Sequence, residues 1–336
     1  MAIIKAQRET IVQSALENAI LGDNPNITKM IGFLMGDNIT VMNKSMLQLI
    51  VKIADLGSFT KAGQELNMTQ PAVSRAVNTL ETELGVTILI RNRRQGVMLT
   101  DIGERIVRIF RGILDGYEKV DQEVAREKGL ETGIVRIGVF PVASTYFVPK
   151  IMSRIMHKYP NIRFDILEGT IAEIKEWIEL RRIDVGFIIP PLEPFETFHL
   201  NREELYAVLR DDHPLSAKPV IQAADLLDQS LIVCKAGYES PVFEWFGQSG
   251  EMQDAKYSLY NNMTALQFVK EGMGISVMAE LSLLSLPDNV VTRKLNPPGY
   301  RDIFLAVPSF EDCSIAVKMF IETALQLFRQ SPDTEP

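Results

Sequence analysis

The 336-residue chain reads as a multidomain protein: an all-α head with a small two-stranded wing, a long linking helix, and a two-lobed α/β body. Three observations predict this. Helix-period apolar stripes crowd into residues 44–84 and run into an arginine-rich hairpin, a heptad-spaced stripe follows, and beyond it apolar strand runs alternate with helical patterns. A chain of this length suits two or three domains.

Composition limits the classes. With 46% hydrophobic and 23% charged residues of both signs, the chain resembles a soluble globular protein rather than a disordered or membrane one. No apolar run approaches the ~20 residues of a membrane span, and the run Ile275 to Leu286 is broken by Glu280. The start MAIIKAQRETIVQ lacks the basic region and apolar core of a secretory signal, so a cytoplasmic protein with no membrane partner is expected. Cys234 and Cys313 are too few for a disulfide framework and too far apart for a CxxC pair. His157, His199 and His213 show no HxxxH or HExxH spacing, so neither a metal site nor a cofactor is expected.

The net charge of −8 divides unevenly. Met42 to Ile106 carries eight basic residues against six acidic, whereas residues 129–336 carry 19 basic and 28 acidic. A basic head on an acidic body suits double-stranded DNA as the partner of the head alone.

Residues 1–41 fit no later pattern. Ile11, Ala15 and Ala19 sketch a short amphipathic helix that stops at Gly22 to Asn26. It reads either as an extra docking helix, or as upstream translation or a disordered arm ahead of a natural start at Met42.

From Lys44 to Ala54, the recurrence of Leu47, Ile50 and Ala54 predicts a first helix, closed at Leu56-Gly57. Ser58 can cap a second helix, with Phe59, Ala62 and Leu66 facing inward. Asn67-Met68 makes the turn. Thr69 or Gln70 then caps a third helix holding Pro71 in its first turn, where a missing N–H costs nothing. Val73, Val77, Leu80 and Leu84 form its buried stripe, which leaves Gln70, Ser74, Arg75 and Asn78 outward. Arg can fork onto guanine, and Asn and Gln can pair with adenine. Any solvated helix has a polar outer face; the three-helix context with its short turn is what favours DNA. Val86 to Ile90 then reads as a strand, Arg93 to Gly96 as a turn and Val97 to Leu99 as the return. Such a wing would bring Arg91, Arg93 and Arg94 to phosphates or the minor groove.

The order GSFTKAGQELNMTQPAVSRAVNTLETELGVTILIR, followed by LTDIGE, resembles the winged helix-turn-helix of LysR-type transcriptional regulators across Met42 to about Glu104. The resemblance implies DNA contacts from Thr69, Gln70, Pro71, Ser74, Arg75 and Asn78, with Arg91, Arg93 and Arg94 on the wing. Gly63 stands where the family usually has Ala and Leu89 where it usually has Phe, which is expected to loosen the helix packing and the wing anchor.

Thr100 and Asp101 can start a long helix in which Ile106, Phe110, Ile113, Tyr117, Val120 and Val124 form a heptad seam. Gly112 and Gly116 each cost this helix about 1 kcal/mol relative to Ala, so it needs a partner. The alternative is that the helix packs on its own body. The resemblance implies pairing between subunits: a dimer, with two heads for two half-sites, and beyond it a tetramer.

In the body, Ile134 to Phe140, Ile162 to Leu167 and Val185 to Ile189 read as strands alternating with helices at Pro149 to Tyr159 and Ile171 to Leu180, which predicts a parallel sheet with helices on both faces. Pro190-Pro191 reads as the crossover into a second lobe. There the strands are Glu204 to Leu209, Ser230 to Cys234 and Ile275 to Met278, with helices at Ser240 to Phe246 and Thr264 to Glu271. Ile303 to Val307 returns to the first lobe and Ile315 to Phe328 closes the chain. The segments RIGVF, PNIRFDILEGT, RRIDVGFI, DDHPLS and VKEGMGISVMAE are similar to the family's periplasmic-binding-protein-like effector half. The expected domains are 1–41 (extension), 42–104 (head), 105–129 (linker) and 130–332 (body), with lobe 1 at about 130–190 and 304–332 and lobe 2 at about 191–303.

The resemblance implies a small-molecule effector between the lobes. Its candidate contacts are Val142, Ser144 and Thr145 after the first strand, Thr170 in LEGT, and Tyr238 and Ser240 in the loop Ala236 to Ser240. Val142 departs from the Ser or Thr that many members carry to hold an anionic effector, and Ser144, Thr145 and Thr170 read equally well as helix caps. Trp177 and Trp245 read as packing residues. RNA polymerase is a further expected partner. Two other classes stay open: a redox-responsive regulator using Cys234 and Cys313, and an enzyme with a DNA tether. Against the enzyme, no nucleophile elbow, phosphate loop or His-centred acid/base pair is present.

Overall fold

The computed structural model describes residues 42–92, 96–127, 132–235, 237, 239–248, 250 and 254–328. The expected extension 1–41 lies outside them. The chain forms two compact units that part between Leu114 and Asp115.

The first unit is built on three helices, α1 (Lys44–Leu56), α2 (Phe59–Glu65) and α3 (Gln70–Leu84). Asn43 opens α1 by accepting the Met46 N–H at 3.0 Å, and Ser58 opens α2 by accepting that of Lys61 at 3.3 Å. Thr69 occupies the N-cap position of α3, but its hydroxyl makes no cap bond. Leu47, Ile50, Ile53, Ala62, Val73, Val77 and Leu80 bury together, and Phe59, Leu66 and Leu84 pack on them half-buried. Gly63 tightens this packing instead of loosening it. A Cβ there would lie 2.7 Å from the Met68 carbonyl oxygen and 3.1 Å from Val73 Cγ2, so Ala would force the helices apart.

The first strand of the wing starts three residues later than expected, and Gly96, expected in the turn, opens the second. The strands are β1 (Leu89–Asn92) and β2 (Gly96–Leu99), antiparallel with Leu89 opposite Leu99. Val86–Ile88 stays outside the ladder because Glu81 reaches from α3 and takes the backbone N–H groups of Ile88 and Leu89 at 2.6 and 2.9 Å. Leu89 is buried, so the wing is anchored without Phe.

Helix α4 (Asp101–Glu127) begins where Thr100 and Asp101 were expected to start it, with the Thr100 hydroxyl accepting the Gly103 N–H at 2.9 Å. Its 27 residues span about 40 Å at 1.5 Å per residue. Two of the six expected seam residues are spent elsewhere: Phe110 is buried in the head core beside Val107, and Ile106 packs against it. Ile113, Tyr117, Val120 and Val124 remain exposed, and Ile109 joins them at 60% exposure.

The second unit has two lobes on one mixed sheet. Lobe 1 contributes β3 (Gly133–Val139), α5 (Pro141–Tyr146), α6 (Val148–Lys158), β4 (Ile162–Glu168), α7 (Ile171–Glu179) and β5 (Val185–Ile188). The 15-residue strand β6 (Glu196–Arg210) follows. Lobe 2 holds β7 (Val220–Ile221), α8 (Ala223–Leu226), β8 (Leu231–Cys234), α9 (Ser240–Gln248), β9 (Tyr257–Leu259), α10 (Asn262–Lys270), β10 (Ile275–Ala279) and β11 (Val290–Leu295). The chain returns on β12 (Tyr300–Val307) and ends in α11 (Ile315–Phe328). The strand order is β4-β3-β5-β12-β6-β10-β8-β9, with β11 between β6 and β7.

Two expectations change here. The sheet is not all parallel, because β12 runs antiparallel to both β5 and β6, and β6 runs antiparallel to β10 and β11. The crossover is not at Pro190-Pro191: β6 pairs with β12 over Glu196–Glu204 and with β10 and β11 over Leu205–Arg210, so the chain changes lobe at Glu204/Leu205. Leu200 accordingly packs in the lobe 1 core and Leu205 in that of lobe 2. Trp245 is fully buried in lobe 2 and donates to the Pro297 carbonyl at 2.6 Å, the packing role expected of it.

Candidate nucleic-acid interface and ligand cleft

Helix α3 places polar residues over an apolar stripe. Gln70, Ser74 and Asn78 stand at four-residue intervals along one row, and Arg75 lies about 100° around the axis. Thr69, Gln70, Pro71, Arg75 and Asn78 are exposed and Ser74 is half-buried. Thr79 and Thr82, on the flank, turn their hydroxyls back onto the carbonyls of Arg75 and Asn78 at 2.9 and 2.7 Å. An open groove of about 440 Å³ follows between α3 and the wing root, lined by Asn78, Glu81, Thr82, Gly85, Val86 and Thr87. Arg91 stands in β1, whereas Arg93 and Arg94 lie outside the described residues. Sequence reasoning missed Glu81, which organises the wing root from seven residues upstream, and the ion pair of Arg111 with Asp55 at 2.6 Å that ties α4 to α1. Neither has a local signal, since each partner is an ordinary charged residue of a solvated helix face.

In the body, the segment after the first strand is the six-residue helix α5. Val142 packs half-buried against the lobe 1 core, Ser144 is half-buried, and the exposed Thr145 donates its hydroxyl to the Pro141 carbonyl at 3.0 Å. Thr170 is a helix cap. Its hydroxyl accepts the Glu173 N–H at 3.3 Å, and Glu173 Oε2 in turn accepts the Thr170 backbone N–H and hydroxyl, each at 2.8 Å; these last two bonds, the backbone one first, hold the Glu173 carboxyl below its usual range. Ser240 is the first residue of α9; Tyr238 lies outside the described residues.

The two lobes meet at these candidates. Gly237, at φ +85°, sits so close to lobe 1 that a Cβ on it would stand 2.9 Å from Ile171 Cβ, one residue past Thr170. Leu281 of lobe 2 reaches the lobe 1 core. At the base of the cleft Glu203 and Arg301, opposite each other on β6 and β12, form an ion pair at 2.6 Å with side chains 1% and 4% exposed. Glu203 also accepts the Leu281 N–H at 2.8 Å, and the Arg301 guanidinium lies 5.7 Å from the Phe140 ring centre, just before α5. The pair joins strand, lobe 2 turn and lobe 1 helix entry, and nothing in the sequence links residues so far apart.

Comparison with known proteins decides the assignment. Residues 45–104 match the model of the bacterial regulatory helix-turn-helix protein, lysR family, and residues 128–329 match the LysR substrate binding domain. The chain belongs to the LysR family of transcriptional regulators. It is 48% identical over 289 residues to the uncharacterized HTH-type transcriptional regulator YvbU of Bacillus subtilis, covering 85% of this chain and 99% of that one. YoaU of the same organism is 34% identical over 285 residues, covering 84% and 97%. Among solved structures, a full-length OxyR variant from Pseudomonas aeruginosa shares the fold with a TM-score of 0.69 at 22% identity, over 84% of this chain and 97% of that one. This LysR-type regulator thus pairs a DNA-binding helix-turn-helix with an effector-binding domain. Among the described residues no helix is long and apolar enough to cross a membrane.

Proposed function

We propose that this LysR-type regulator works as a homo-oligomer, a dimer and beyond it a tetramer, whose heads read two half-sites of promoter DNA. Gln70, Ser74, Arg75 and Asn78 meet base edges and phosphates, Thr69 and Pro71 bring the helix start to the backbone, and Arg91, Arg93 and Arg94 of the wing lie along it. A small metabolite in the interlobe cleft resets the heads and thereby DNA bending or RNA polymerase contacts. The observation that carries this reading is that Gln70, Arg75 and Asn78 lie exposed on α3 while Val73, Val77 and Leu80 beneath them are buried to 0–1%. Within the cleft, Val142, Ser144 and Ser240 are the candidate contacts that no helix cap or own-turn bond occupies among the bonds described for them. Thr145 and Thr170 serve their helices first.

A thiol switch is less well supported. Cys234 is buried, and burial pushes the half-buried Cys313 thiol up to about 11, where it stays protonated and is a poor nucleophile at neutral pH.

Selecting genomic fragments on the purified protein, then footprinting them with a panel of metabolites, tests the proposal. A set of fragments sharing a two-fold motif, with a footprint that one metabolite alters, is expected. Fragments retained without any common motif would end it.

A further inference from the structure

We propose that the junction between the C-terminal half of α4 and lobe 1 is a proton-operated latch, tightened when Asp115 takes up a proton. The geometry is an uneven sharing of one guanidinium. Arg136 on β3 gives Nη2 to Glu118 at 2.6 Å, while its backbone N–H donates to Asp184 Oδ2 at 2.7 Å and Nη1 stands 3.4 Å from Asp184 Oδ1. Asp115, one turn before Glu118 on α4, stands 3.9 Å from Arg136 Nη1 and 3.9 Å from Arg181 Nη1, beyond hydrogen-bond reach of either. Three carboxylates thus share two guanidinium groups.

The shortfall sits in the wall of a cavity of about 40 Å³, roomy enough for water, which needs ~10–15 Å³. Every packed element contributes charge to it: α4 gives Asp115, Glu118 and Lys119, the segment after α7 gives Arg181 and Asp184, and the turn before α11 gives Asp312 and Cys313, with Arg136 behind them on β3. The next turn of α4 is fastened to α11, where Gln122, 5% exposed, accepts the Ala316 N–H at 3.4 Å. A change of charge at Asp115 therefore acts on a segment already docked on the lobe.

Burial, then repulsion from Asp184, raises the Asp115 carboxyl to about 6, with Arg136 opposing. Asp184, more deeply buried, is pushed up as well, so the two carboxyls take up protons as a coupled pair. The docked junction binds the proton more tightly than the opened one. The contribution of Asp115 to docking is accordingly fully present below the ordinary carboxylate value of 3.8 and is lost as pH rises through about 6.

Hydrogen exchange on the full-length protein at pH 7.5 and 5.5, corrected for intrinsic rates, tests the latch. From the shift of Asp115 alone, protection of Asp115–Glu127 is expected to rise about fourfold at the lower pH. Asp115→Asn, which mimics the protonated acid, is expected to hold the high protection at both. Glu123→Gln, exposed on the same helix, is expected to keep the wild-type response. Equal protection of this segment at both pH values in the wild type overturns the proposal, and so does an undiminished response in Asp115→Asn. If Asp115→Asn does not fold, the wild type and Glu123→Gln still decide: a response confined to residues 42–114 also overturns it.

Discussion

Arg75 and Asn78 stand exposed on α3, while Val73 and Val77 beside them carry the packing. Truncating the outer pair should therefore spare stability and weaken DNA binding. Arg75→Ala is expected to cost about 1–3 kcal/mol of specific affinity and to relax the base preference at one position of each half-site, read by anisotropy titration at fixed salt. Unchanged affinity at the selected promoter would remove Arg75 from the reading face. The buried pair Glu203–Arg301 behaves in the opposite way, since no solvent can replace a lost partner. Arg301→Met should cost about 3–5 kcal/mol in urea unfolding of the body, and the double variant Glu203→Leu with Arg301→Met should recover most of it. A double variant no more stable than the single one would mean that the strands, not the charges, set this site. Of the two sites only the first was legible in the sequence: exposure on α3 follows from a local period, whereas Glu203 and Arg301 meet only because β6 and β12 pair in register.

At the scale of the element, α4 is the instructive case. Its apolar spacing announced a seam, and a seam is present, but rotated and shortened: Ile106 and Phe110 close the head core, and Ile109 enters the exposed stripe with Ile113, Tyr117, Val120 and Val124. Spacing tells which residues share a face and is silent on what covers it. Val120, 62% exposed, is the sharpest probe. Val120→Asp should shift the protein toward monomer in sedimentation velocity while Phe110→Asp should unfold the head, because one charge is placed against a partner helix and the other inside a core. A Val120→Asp variant that sediments like the wild type would assign the stripe to some other contact. The wing shows the same limit, since β-propensity began the strand at Val86, whereas Glu81 of α3 takes the Val86 N–H on its carbonyl and those of Ile88 and Leu89 on its carboxylate.

For the whole molecule, the two lobes share their sheet through β6 and β12, and the contact of Gly237 with Ile171 is where they touch beside the candidate cleft residues. An effector present at one hundred times its Kd should stabilise the body by about 2.7 kcal/mol, seen as a rise in Tm. Gly237→Val, which wedges a side chain against Ile171 at a positive φ, should abolish that rise. A thermal shift that survives in this variant would place the effector elsewhere.

By itself, the sequence determined the head, the order of the α/β units and the family, because helix stripes, caps and buried strand runs are set by residues within a turn or two of one another. Only the tertiary structure decided where the chain crosses between lobes, which half of α4 stays uncovered, and how three carboxylates gather around Arg136. Those outcomes depend on pairings between residues tens to a hundred positions apart, and local periodicity carries no information about which distant segment closes on which.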